Sequence, residues 1–482
     1  MIESAAAMGL SLALLLLALP SAALLVQPRP QESAWLVIAS GLGLGLGAIT
    51  LILLWMGLLG IAFDAGWVVA VYLILTAPGL ILWLRAGVNR PIVRLRLPRS
   101  WPRRLALALL AAISASILIN ALLWPFHRED VLGIYQPQAQ LLYQTGTLIS
   151  LTGADSLYRA YPMSIPLVYT FAYLITGWEN EYLANLLAAL LSVGCLPVAY
   201  LLGRMTAGER AGWGAALLLA LAPIFPRWAS SGYVDLPMAF FYGMSAVFAL
   251  RLWETRGLID ALLAGASMGL AAWTKNAALL GIPILTGWLL WAWLHRRGHG
   301  RHLAVALTAC LLIAGPWYAR NLLGAGFLIP ATAWIDQAQP TLANLFVFLT
   351  RAENFALTGV IITGGLFYGL LTVIDRRKHA PAELLLLLWT LPFFGAWWLF
   401  VSYDPRFLLL FLPPLCALGG ALVKALWERL PARAKHPGRL ALAAVALALA
   451  AQAVWFGIEY KASAPHAPFM TDAERRAIVG RE

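Results

Sequence analysis

The chain has 482 residues, 61% of them hydrophobic and only 12% charged, and a mean hydropathy of +0.78, which excludes ordinary water-soluble globular composition. Lys and Arg number 34 against 22 Asp and Glu, a net charge of +12; in a chain made of successive apolar runs this excess is read as loop topology, with no nucleic-acid partner. Cys195, Cys310 and Cys416 lie inside apolar runs without paired spacing, so they point to neither a disulfide framework nor a thiolate metal site.

The expected fold class is all-α, a polytopic transmembrane bundle of about 14 spanning helices with interfacial helices in the first large outer loop. Residues 5–26 lack a basic leading stretch and follow acidic Glu3, so they are read as a first spanning helix rather than a signal peptide. Runs at 35–62 and 66–84 complete a three-helix module over 1–86. Within the second, Gly41, Gly43, Gly45 and Gly47 read as small-residue helix packing. A basic linker, 87–104, follows with Pro91, Pro98 and Pro102. The core, 105–427, holds spanning runs at 105–125, 181–203, 211–226, 233–251, 258–274, 277–294, 303–320, 355–375, 383–401 and 406–424, with outer loops 126–163 and 321–354. The last unit, 428–482, is a spanning helix near 440–457 and a short outer tail.

Basic residues recur in alternate loops: seven arginines between Arg85 and Arg104, then Arg204/Arg210, Arg251/Arg256, Arg296/Arg297/Arg301, Arg376/Arg377/Lys378 and Lys424 to Arg439. Such loops stay on the cytoplasmic side. All six share one side only if the short apolar piece 164–177 does not cross, so it is expected to be interfacial or a half-membrane helix. The opposite, extracytoplasmic side of the cell membrane then receives 126–163, 227–233, Lys275/Asn276, 321–354 and 402–406. The 321–354 stretch, with Trp334, Asp336 and Pro340, is long enough to be a lid or a plain connector.

Ionisable groups converging at one membrane face are functional candidates. Glu129 and Asp130, just past the helix that ends near Pro125, are positioned for a general base or for pairing with His127 or Arg128. Asp235 opens a helix with Pro237 in its first turn, where a capping role explains it fully and a substrate contact is the alternative. Lys275, Arg320 and Arg406 occupy corresponding outer positions on three helices; together they suit a phosphate, and singly they suit headgroup contact or internal pairing such as Asp404 with Arg406. Tyr135, Tyr161, Tyr233, Asn276, Tyr403 and Asp404 complete the outer set as candidate substrate contacts, and Trp228 and Trp334 are outer aromatics. The seven histidines are scattered and no metal motif is present, although a divalent Mg or Mn ion bound by the acidic outer residues is conceivable.

The order of these features resembles the C-type membrane glycosyltransferases, in particular the protein O-mannosyltransferase and aminoarabinose transferase group. The resemblance runs over roughly 105–425. It comprises Glu129-Asp130, Tyr135 and Gly146, Tyr161-Pro-Met-Ser-Ile-Pro-Leu167, Ala199 to Arg204, the Asp-Leu-Pro turn at Asp235, Leu270 to Lys275, and Tyr403-Asp-Pro-Arg-Phe407. It implies a polyprenyl-phosphate monosaccharide donor, a lipid, glycan or protein acceptor, inversion at the anomeric carbon, and Asp130 as catalytic base. It also implies that Lys275, Arg320 and Arg406 bind the carrier phosphate. The chain departs from the pattern in the Tyr161 element, which lacks a cation that Arg159 can replace, and in its Glu-Asp order. The competing readings are a lipid-linked oligosaccharide transferase or ligase, and a lipid or glycan flippase.

Overall fold

The computed structural model describes residues 2–27, 34–87, 99–151, 159–329, 337–376 and 380–481, and their regular structure is helical throughout. Among the described residues twelve helices are long and apolar enough to cross a membrane, making this a multi-pass membrane protein. Two runs expected to span fall short. Glu209–Leu221 has 13 residues, starting after Gly208 and stopping before Pro223, so at about 1.5 Å per residue it covers only about 20 Å of a roughly 30 Å hydrocarbon core. Leu258–Thr274, with 17 residues between Gly257 and Lys275, is also shorter than the other spans, yet it runs from the Asp260–Arg251 pair to the Lys275–Asp235 pair. Residues 88–98 of the 87–104 linker, Arg377 and Lys378, and Trp334 and Asp336 of the expected lid lie outside the described residues.

The short piece 164–177 is the helix Ser164–Thr176. Every side chain from Ser164 to Tyr173 is buried, so it sits inside protein rather than along the membrane surface. Its apolar sequence and lack of charge make enclosure favourable on all sides.

The first three helices are built into the core. In Ala34–Leu58, Gly41 and Gly45 face Leu19 and Leu15 of the first helix, while Gly43 and Gly47 face Phe240 and Leu270 of the core. Two small-residue faces are thus interleaved on one helix. Polar links fix both ends: Arg251 donates to the Val26 carbonyl at 2.8 Å while pairing with Asp260 at 2.8 Å, and the Phe63 N–H donates to the Gly146 carbonyl at 2.7 Å.

The two ends of the bundle differ in chemistry, as a single helix shows. Asp235 opens Asp235–Thr255 and Arg251 lies near its close, about 24 Å away by helical rise. Arg103–Glu209 and Arg210–Glu428 pairs belong to the Arg251 end, whereas the candidate site residues belong to the Asp235 end.

Close backbone approach sets the tolerance of the core. A Cβ on Gly265 would lie 2.0 Å from the Ala306 carbonyl oxygen, while one on Gly315 would meet nothing within 4 Å. Gly265→Ala is expected to lower stability by about 1–3 kcal/mol and Gly315→Ala to leave it within about 1 kcal/mol, as measured by unfolding in detergent.

Candidate active site

Each part of the site is placed by a local break in helix. The helix Trp101–Leu123 stops at Trp124, whose backbone is extended ahead of Pro125, and a π-turn, Val131–Tyr135, begins right after Asp130. Asp130 is therefore held at a corner, its N–H donating to the Tyr233 hydroxyl at 3.3 Å. Tyr233 and Asp235 follow a tight turn at Gly232, φ 80°, where a Cβ would come within 2.7 Å of the Phe126 ring. Glycine is required there by both the left-handed backbone and the close approach. Lys275 caps Leu258–Thr274 in extended conformation. Arg406 is the second residue of the 3-10 helix Pro405–Phe411, whose N-cap Asp404 accepts from the Arg406 N–H at 2.8 Å.

Arg406 is the centre of the arrangement. Its guanidinium lies 2.9 Å from the Asp130 carboxylate, 3.4 Å from Asp404 and 3.7 Å from Asp235. It also lies over the rings of Tyr233, at 4.3 Å, and Trp228, at 5.3 Å. Asp235 is only 1% exposed and its other oxygen sits 2.5 Å from the Lys275 ammonium, which rests over Phe407 at 4.5 Å. Asp235 thus bridges two cations. It is the acidic residue of its helix's first turn, after the N-cap Val234, and both of its oxygens face the cations.

The aromatic wall follows. Tyr135 meets Tyr233 edge-on at 6.4 Å, and Tyr403 meets Phe407 edge-on at 6.1 Å. Burial first, then the carboxylates of Asp235 and Asp130, push the Tyr135 phenol far above its ordinary value, with Tyr161 adding to the same effect. Burial also raises Tyr233 and Tyr403. These phenols are therefore hydrogen-bond donors at neutral pH. The Asp404 carboxyl is pushed up by burial, with Arg406 pulling the other way.

Of the three cations expected together, two meet. Arg320 instead donates to the Ile149 carbonyl, lies over Trp317 at 4.5 Å, and pairs with no carboxylate among the described residues. Asn276 sits beside Lys275 and accepts from the Tyr318 hydroxyl at 3.0 Å. Glu129 is exposed and carries no ion pair or hydrogen bond, which leaves Asp130 as the carboxylate of the pair engaged with the cluster. Arg128 and His127 do not serve Asp130 either: both face Glu459, at 2.5 and 3.7 Å.

Among the described residues no group of three or more His, Cys, Asp or Glu is arranged to hold a metal ion. Asp130, Asp235 and Asp404 converge on a guanidinium instead. Sequence reasoning missed Glu459 and the rest of the tail. The available signal was the concentration of charge after the last span, from Glu459 to Arg481, in a chain otherwise poor in charge.

The chain has the all-α architecture of the C-type membrane glycosyltransferases. ArnT from Cupriavidus metallidurans bound to undecaprenyl phosphate superposes with a TM-score of 0.54 at 21% identity, covering 78% of this chain and 73% of that one. The apo oligosaccharyltransferase of Archaeoglobus fulgidus gives 0.51 at 15% identity, over 74% and 57%. More particularly, residues 161–319 match the family described as dolichyl-phosphate-mannose-protein mannosyltransferase. None of the curated proteins compared matches the sequence.

Removing Lys275 leaves a buried carboxylate with only a distant partner. Lys275→Met is expected to cost about 3 kcal/mol, and adding Asp235→Asn to recover most of it, read as a coupling energy in a double-mutant cycle.

Proposed function

We propose that the protein transfers a monosaccharide from a polyprenyl-phosphate carrier to an acceptor at the extracytoplasmic membrane face, with inversion. The observation that carries this reading is the direct contact of Asp130 with Arg406, which joins a partly exposed carboxylate to a buried cation pair at one mouth of the bundle. In this reading the acceptor hydroxyl or amine attacks the anomeric carbon while Asp130 takes its proton. The bond from that carbon to the phosphate oxygen breaks, and the electron pair leaves with the carrier phosphate. Arg406 and Lys275 stabilise the charge that develops there, arginine through its planar fork.

Both cations are already paired in the resting site, which gives the sequence of events a physical logic. A phosphodiester that takes up the Arg406 guanidinium competes with Asp130 for it. Asp130 is then released from the guanidinium and free to face the acceptor. Tyr135, Tyr161, Tyr233, Tyr403 and Asn276 provide donors and rings around that mouth for the sugar, and Asp404 holds Arg406. The acceptor is a lipid, glycan or protein.

Asp130→Asn is expected to lower turnover at least about a hundredfold with donor binding kept, measured in nanodiscs with a panel of polyprenyl-phosphate sugars. Arg406→Lys is expected to raise the donor KM about tenfold or more, since a point charge cannot replace the fork. Unchanged turnover in the first variant would remove Asp130 from the reaction. The rival reading, a transferase for lipid-linked oligosaccharides, requires the three carboxylates to leave Arg406 for a divalent metal. Activity lost to a chelator and restored by Mg or Mn would select it.

Orientation is checked separately. Thr147 is exposed in the first outer loop and the three native cysteines are buried. A Thr147→Cys variant is expected to react in intact cells with an impermeant maleimide, and labelling only after lysis would reverse the assignment.

A further inference from the structure

The residues after the last span do not trail into solvent. Glu181, at the start of Glu181–Val193, is 3% exposed, and a buried carboxylate must be compensated to stay charged. Its partners come from the tail: Arg476 at 3.0 Å and Arg481 at 2.5 and 3.1 Å. The same carboxylate accepts the Phe126 N–H at 3.0 Å, and Arg481 donates to the Phe126 carbonyl at 2.7 Å. Further up the tail, Glu459 pairs with Arg128 and lies 3.7 Å from the His127 ring, and Tyr460 packs on the rings of Trp124, at 4.9 Å, and His127, at 5.3 Å.

The tail's contacts thus fall on Glu181, which holds Phe126, and directly on Trp124 to Arg128, the stretch that ends two residues before Asp130. A second route reaches the other wall. The Glu459 N–H donates to Asn120 at 3.0 Å, and Asn120 donates to the Ser230 hydroxyl at 2.7 Å, in the turn that delivers Tyr233 and Asp235. A third passes through rings: Arg128, held by Glu459, and Arg406 both lie over Trp228, at 5.1 and 5.3 Å.

We propose that the tail, residues 458–481, is a positioning strap for the active site, in which Glu459 and Arg481 fix the segment carrying Asp130. The strap replaces, within the chain, the restraint that the corner at Trp124 to Arg128 lacks, because that corner has no regular helix to hold it. Its consequence for the reaction rests on the function proposed above, with Asp130 as base. Glu459 and Arg481 are positioning residues, since neither touches the Arg406 cluster.

The test uses the full chain in nanodiscs, with hydrogen exchange followed by mass spectrometry beside transfer kinetics on an undecaprenyl-phosphate monosaccharide. Glu459→Gln keeps size and loses charge at a partly exposed position, so it folds even if Arg481→Ala does not. Exchange at the amides of Phe126 to Leu132 is expected to rise about tenfold or more while the spanning helices stay protected. Turnover is expected to fall about tenfold with donor KM within about twofold, and Glu459→Asp to recover part of both. Unchanged exchange in Glu459→Gln overturns the strap, and so does faster exchange with unchanged turnover. A wild type that turns over no polyprenyl-phosphate sugar defeats the proposed function instead, while the exchange data still decide whether the tail holds the segment.

Discussion

Everything at this mouth of the bundle depends on how Arg406 is satisfied. A guanidinium buried to this degree needs counter-charge, and it finds three carboxylates supplied by three separate parts of the chain: the corner after Leu123, the start of Asp235–Thr255, and the N-cap of its own 3-10 helix. Such convergence is costly to assemble, because each ion gives up water. What offsets the cost is geometry. The rings of Tyr233 and Trp228 cover the planar cation, and Lys275 takes the remaining oxygen of Asp235. Moving any one of the three segments leaves an unpaired charge in a poorly hydrated place, so the charges themselves enforce the register between helices distant in sequence.

That interdependence explains what was legible in the sequence. Helix existence was readable nearly throughout, since a run of apolar residues in lipid has no alternative to helix. Helix length was readable less well: Glu209–Leu221 looked like a full span because Ala222 to Phe225 continue the apolar run, yet Pro223 ends the helix. Asp130, Asp235, Lys275 and Arg406 stood out because charge is rare in this chain and they share one side of the alternating loops. Arg320 satisfied the same rule and does not join them. Position on a face does not fix the direction of a long side chain, and the Ile149 carbonyl with the Trp317 ring captures this one.

The pairing of His127 and Arg128 was illegible for a different reason. Their partner Glu459 is more than 300 positions away, and no local periodicity links a loop to a tail. The same holds for Glu181, whose partners Arg476 and Arg481 lie about 300 positions away in the tail. Contacts of this kind are visible only when the chain is folded. They account for the way the corner beside Asp130, with no helix of its own to stiffen it, is nonetheless well determined.

The interleaved glycines of Ala34–Leu58 have a consequence for biogenesis. Gly41 and Gly45 can receive their neighbours at once, because Leu15 and Leu19 are made just before them. Gly47 waits for Leu270, about 220 residues later in the chain, a delay of roughly 10–45 s at about 5–20 residues per second of synthesis. During that interval half of the helix surface faces lipid through a groove shaped for protein. The early hairpin is thus a preassembled scaffold, and the later spans complete the membrane domain by closing onto it.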